Sequence, residues 1–256
     1  MSKIHHAFES GKAFIGFLTA GDPSIEKSCE YILTMEKAGA DLVEIGIPFS
    51  DPIAEGLVIQ EANIRALSAN TRLEDVFRLV SMVRETSQIP LVFLTYANPI
   101  FNYGKEAFFA KCEELGLDGV IIPDVPFEER GEFAAEAERH GVDIIAMIAP
   151  TSKERIKEIA AVGQGFLYIV SSLGVTGTRS EITTDLKEIV DVVKEVTDVP
   201  CAVGFGINTT AQARQIASEA DGVIVGSAIV KIIGQYGENA GPHLFEYVKS
   251  MKEAVK

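Results

Sequence analysis

Short apolar runs rich in β-formers alternate with longer helical patterns from one end of the chain to the other, and this rhythm limits the fold more than any other feature. The runs are "AFIGFLT" (13–19), "DLVEIGI" (41–47), "PLVFLTY" (90–96), "DGVIIP" (118–123), "DIIAMIA" (143–149), "GFLYIV" (165–170), "PCAVGF" (200–205) and "DGVIVG" (221–226). Between them lie stretches such as "SIEKSCEYILTMEKAGA" and "DLKEIVDVVKEVT", with apolar residues at three- and four-residue steps. Eight such βα units with no linker predict one (β/α)8 barrel domain over residues 1–256, a length at which these barrels stay undivided. An open doubly wound sheet is the alternative. The count of eight and the Gly-rich turns after the last two runs favour the barrel. Two additions are predicted: a short N-terminal helix, and a helix over 57–68 inserted after the second strand.

The net charge of −14 argues against nucleic acid, whose binding rests on clustered Lys and Arg. A phosphorylated metabolite is still admissible, because backbone N–H groups at a helix start bind phosphate without formal charge. No apolar run reaches the length of a membrane span, and the N-terminal stretch lacks a signal-peptide core, so the expected location is cytoplasmic. Cys29, Cys112 and Cys201 are far apart and outside any C-x-x-C pattern, so they read as apolar filler.

A barrel carries its chemistry at the C-terminal ends of its strands. None of His5, His6, His140 and His243 falls there, so a histidine base or a His-ligated metal is not expected, and proton transfer falls to carboxylates or tyrosine. In "DLVEIGI" the period of two sets Val43, Ile45 and Ile47 on one face and Leu42, Glu44 and Gly46 on the other. Glu44 is thus expected to point into the barrel. There it is either an acid–base group of raised pKa or a structural acid satisfied by neighbouring hydroxyls. Asp51, in Ser-Asp-Pro, reads as a turn residue, and Glu55 taken alone as a solvated loop acid.

The turns "GFGIN" (204–208) and "GSAIVK" (226–231) follow the last two strands, where barrels hold phosphate; Gly206, Gly226 and Ser227 are the candidate ligands. The polar stretch 171–182 is either a surface connection or a lid. Tyr168 is either core or a support for Glu44. Phe17, Leu94, Tyr96, Ile121 and Ile148 lie near strand ends and together would form an apolar wall for a flat substrate group.

"FLTAGDP" (17–23), "EIGIPFSDP" (44–52), "YANPIFNYG" (96–104), "IIPDVPFEE" (121–129), "SSLGVTGTRSE" (171–181), "VGFGI" (203–207) and "GSAIVKII" (226–233) closely resemble the tryptophan synthase alpha subunit family, in order over nearly the whole chain. The resemblance implies retro-aldol cleavage of indole-3-glycerol phosphate to indole and glyceraldehyde 3-phosphate, with no metal or organic cofactor in this subunit. It also implies a PLP-dependent beta subunit as partner in an alpha2beta2 complex. Carried over by position, Glu44 is the principal acid–base, and Glu55 stands where the family has an aspartate that meets the indole N–H. Tyr168 and Thr176 hold Glu44 and the lid. Gly177, Gly206, Gly226 and Ser227 bind phosphate, and Asp51 serves intersubunit signalling. The chain departs from the family at 54–57, reading Ala-Glu-Gly-Leu for Ala-Asp-Gly-Pro. Two other functions fit parts of this pattern. One is a weakly active subunit kept to activate a partner. The other is a different phosphate-binding barrel lyase or epimerase, which the absence of lysine from every strand run disfavours.

Overall fold

The computed structural model describes residues 2–170, 186–204 and 206–256. Nine parallel strand segments form one sheet: β1 Ala13–Thr19, β2 Leu42–Gly46, β3 Leu91–Leu94, β4 Gly119–Ile121, β5 Asp143–Ile144, β6 Ala146–Ile148, β7 Leu167–Val170, β8 Cys201–Gly204 and β9 Gly222–Val225. Their order is β5-β4-β3-β2-β1-β9-β8-β7-β6. The end segments β5 and β6 are the two halves of the run predicted as one strand over 143–149. Ile145 separates them: its N–H still bonds to Val120 O on the β4 side at 3.0 Å, while the next residue, Ala146, pairs with Leu167 of β7. The chain changes neighbours at this point, and the change closes the barrel. Eight sequence runs therefore make nine segments without breaking the predicted alternation.

Alternation along the strands divides the apolar residues between two cores. Ala13, Ile15, Leu42, Val92, Ile121, Ile145, Phe166, Ala202 and Ile224 fill the barrel, while Phe14, Leu18, Val43, Ile45, Phe93 and Val203 pack beneath the surrounding helices. Each large side chain so buried contributes roughly 1.5–3 kcal/mol. The short N-terminal helix His6–Glu9 stoppers the barrel at the N-terminal ends of the strands, with Ile4 and Ala7 joining the interior cluster and Phe8 lying 6.1 Å from the Phe166 ring.

Two ion pairs built on buried aspartates fasten the ends of the structure. Asp118 accepts from Lys3 N at 2.8 Å, Leu91 N at 3.0 Å and Arg84 Nη2 at 3.1 Å, tying the N-terminal segment to β3 and to the helix Leu73–Arg84. At the other end, Arg65 grips Asp22 through Nε at 2.9 Å and Nη2 at 2.7 Å. Arg65 belongs to the helix Leu57–Ser68, whose bounds match the predicted insertion and which packs on β1 and on the helix Ser227–Tyr236.

Candidate active site

A cavity of about 650 Å³, counted out to its mouth, opens at the C-terminal ends of the strands. Phe17, Glu44, Leu94, Met147, Tyr168 and Ile224 form its floor and walls from the strands themselves. Ala54, Glu55 and Ile59 come from the segment after β2, Pro123 from beyond β4, and Gly206, Ile207, Gly226 and Ser227 from the turns after β8 and β9.

Glu44 occupies the floor. Its alternation partner Leu42 lies in the barrel interior, so the carboxyl faces inward as the period of two requires, and only 1% of it is exposed. Oε1 has no hydrogen-bond partner, so the buried acid is not a satisfied structural one. Burial pushes its pKa up to about 8. Tyr168 shares the floor. Its phenol is raised as well, first by burial and then by the nearby Glu44 charge. Gly204 makes room for this ring, since a Cβ there would lie 2.3 Å from the Tyr168 hydroxyl. Gly204→Ala is expected to displace Tyr168 and to cost about 1–3 kcal/mol in denaturant unfolding; an unchanged midpoint would show that the ring gives way freely.

Glu55 is not the solvated loop acid its local sequence suggests: it is 5% exposed and lines the cavity. Burial raises its pKa to about 7, against hydrogen bonds from Asn63 and Tyr96 that favour the charged form. Asn63 Nδ2 donates to Oε2 at 2.5 Å, and Gln60 Nε2 donates to the Glu55 carbonyl at 2.7 Å. Tyr96 does not line the cavity. It holds the segment above, stacking on Phe49 with ring centroids 5.0 Å apart and accepting from Ala54 N at 3.1 Å.

At the mouth, Gly226 and Ser227 begin the ten-residue helix Ser227–Tyr236, whose free N–H groups and dipole suit an anion. Gly206 lies opposite with φ +78°, a conformation few residues other than glycine adopt.

Besides Tyr96, three predicted positions lie elsewhere. Ile121 sits below the cavity in the barrel core, because β4 ends there and the wall above it is made by Pro123. Ile148 faces the helices, since Ile145 and Met147 hold the inward positions of that run. Asp51 is exposed and accepts from the neighbouring Ser50 hydroxyl; among the described residues no backbone amide donates to its carboxylate. Thr176, Gly177 and the rest of the stretch 171–182 lie outside the described residues. Sequence reasoning missed Asn63, Ile59, Pro123 and Met147. Asn63 had a signal: it is the polar member of the otherwise apolar set Ile59, Ala62 and Ala66, spaced along one face of the predicted helix. Among the described residues one group, His5, His6 and Glu9, has metal-ligating atoms close together, and it is exposed on the stopper helix, away from the cavity.

The family profile described as "Tryptophan synthase alpha chain" matches residues 4–256. The chain belongs to the tryptophan synthase alpha chain family. It is 46% identical over 255 residues to the tryptophan synthase alpha chain of Lacticaseibacillus casei, covering all of this chain and 96% of that one. The Legionella pneumophila tryptophan synthase subunit alpha shares its fold with a TM-score of 0.91 at 36% identity, covering 100% of this chain and 98% of that one. A chain of the tryptophan synthase a2b2 complex of Pyrococcus furiosus superposes with a TM-score of 0.87 at 37% identity, over 94% of this chain and 98% of that one. As a family member, the chain places a buried acid on the barrel floor and a second acid on its wall, below a helix N-terminus.

Proposed function

We propose that this barrel, one domain over residues 1–256, is a lyase that cleaves indole-3-glycerol phosphate to indole and glyceraldehyde 3-phosphate. The observation that carries the reading is the buried Glu44 carboxyl, its Oε1 without a hydrogen-bond partner, on the floor of an apolar cavity with a helix start suited to an anion at its mouth. Burial raises its pKa to about 8, which favours the protonated form at neutral pH. The indole ring lies between Phe17, Leu94 and Ile59, and the phosphate meets the N–H groups of Gly206, Gly226 and Ser227. Glu44 gives its proton to C3 of the ring, and the carboxylate so formed takes the proton of the adjacent glycerol hydroxyl as the C–C bond breaks. An aldehyde forms, indole leaves, and Glu44 is protonated again. Tyr168 steadies Glu44. Glu55, ionised, accepts the ring N–H and stabilises the positive charge that C3 protonation creates. Thr176 and Gly177 complete the lid and phosphate contacts in this reading.

Purified protein given indole-3-glycerol phosphate is expected to release indole; none formed, alone or with a beta subunit, would overturn the assignment. The two carboxyls also predict a bell-shaped profile of kcat/KM, which reports the groups of the free enzyme. kcat/KM rises as Glu55 ionises near pH 7 and falls as Glu44 loses its proton near pH 8. A profile flat from pH 6 to 9 would contradict this division of roles.

The family's partner is a PLP-dependent beta subunit, and the proposal includes an alpha2beta2 heterotetramer in which indole passes to that partner. Ile53, Leu57, Ile64 and Phe101 support it: these apolar side chains are 51% to 76% exposed on the segments that follow β2 and β3. Asp51, on the same exposed segment, serves signalling between the subunits. The proposal places the enzyme in the cytoplasm, in keeping with its biosynthetic family; no helix among the described residues is long and apolar enough to cross a membrane.

A further inference from the structure

We infer that Asn63 is a positioning residue for the second acid: from the buried face of the helix Leu57–Ser68, its amide takes Oε2 of Glu55 and fixes the plane of that carboxyl against the cavity. The inference rests on the reading of Glu55 as the group that meets the ring nitrogen.

A glutamate side chain has three rotatable bonds, and on a loop it would sample many orientations. Here one helix restrains it twice. Gln60 holds its main-chain carbonyl at 2.7 Å, and Asn63 holds its carboxyl at 2.5 Å. The helix is itself fixed in rotation by the bidentate Arg65–Asp22 pair two residues further on, with Asp22 2% exposed. Asn63 is 3% exposed among Ile59, Ala62 and Ala66, where an amide is costly unless hydrogen-bonded. Its donor goes to the acid that lines the cavity. Helix packing alone needs no amide at this position, since alanine would satisfy the same face.

The chemistry of the donor also matters. An N–H donor favours the ionised carboxylate, whereas a carboxyl at the same position would compete with it for a proton. The other titratable groups facing Glu55 are Tyr96 from the segment after β3, and Glu44 and Tyr168 across the cavity on β2 and β7. None of them supplies a positive charge, so Asn63 and Tyr96 are the groups that oppose the effect of burial.

The test compares Glu55→Gln, Asn63→Leu and Asn63→Asp in steady-state cleavage of indole-3-glycerol phosphate from pH 5.5 to 9. A 13C NMR titration of the Glu55 carboxyl, assigned by its absence in Glu55→Gln, runs alongside. Loss of one charge-assisted hydrogen bond predicts a fall in kcat of about 10- to 100-fold for Asn63→Leu, with KM changed much less. The acid limb of the profile and the NMR midpoint of Glu55 both move to higher pH. Asn63→Asp, which keeps the shape of the side chain, moves them further still and guards against a packing artefact. If Glu55→Gln is impaired but both Asn63 variants keep the parent acid limb and NMR midpoint, the positioning role is overturned, even where activity falls through instability. If Glu55→Gln turns over like the parent, the reading of Glu55 beneath it fails instead.

Discussion

Glu44→Gln is expected to lower indole release by about 10²- to 10⁴-fold, the range in which a positioned acid–base group contributes, while leaving the barrel folded. The same substitution should change how stability depends on pH. In the folded protein Glu44 keeps its proton up to about pH 8, whereas an unfolded chain loses it near the ordinary value of 4.5. Below that value both states are protonated and the group has no effect. Between the two values the folded state holds more protons, so stability falls as pH rises, by a total of about 5 kcal/mol for a shift of this size. Glutamine cannot ionise, so the variant escapes this loss. Urea unfolding at pH 5 and pH 9 should therefore show the parent losing more stability than the variant. Parallel curves would mean that Glu44 is not held protonated, and turnover within tenfold of the parent would end its assignment as the acid.

Asp118→Ala should have the largest effect on stability. Asp118 is 2% exposed and accepts from three donors drawn from the N-terminal segment, β3 and the helix before it. Its partner Arg84 is also buried and has its pKa lowered by that burial, with the Asp118 charge acting in the opposite direction. Removing the carboxylate leaves the Arg84 guanidinium without its ion-pair partner, though still held by the Gly116 and Ile89 carbonyls, and two backbone N–H groups without their acceptor. The expected cost is about 3–5 kcal/mol in urea unfolding. The site lies at the end of the barrel opposite the cavity, so folded protein should keep its turnover number. A loss under 1 kcal/mol would show that water or a side-chain shift replaces the missing acceptor.

Much of this architecture is legible in the sequence because it is local. A period of two sets Glu44 inward before any tertiary contact is known, and the helical pattern over 57–68 carries both of its ends. Other features depend on contacts between distant segments. Glu55 looks like a surface acid until Asn63, eight positions later, and Tyr96, from the next βα unit, close over it. Ile121 and Ile148 are near strand ends in sequence, but depth and parity within the closed barrel place one beneath the cavity and the other outside it. The pivot at Ile145 is equally hidden, because an unbroken apolar run carries no mark of where it exchanges one neighbour for another.

The closure of the barrel has a consequence for how the protein is made. β1, near the start of the chain, is flanked by β2 and by β9, which ends at Val225. A ribosome adding roughly 5–20 residues per second releases β1 many seconds before its second neighbour exists. Throughout that interval one side of β1 carries unpaired N–H and C=O groups, open to pairing with another nascent chain. The segment that stoppers the barrel waits as well, since its Phe8 packs on Phe166 and Lys3 bonds to Asp118. Circular permutation would not remove this exposed edge: with β9 placed ahead of β1, the strand left waiting is β9 itself, whose other neighbour β8 is then made last.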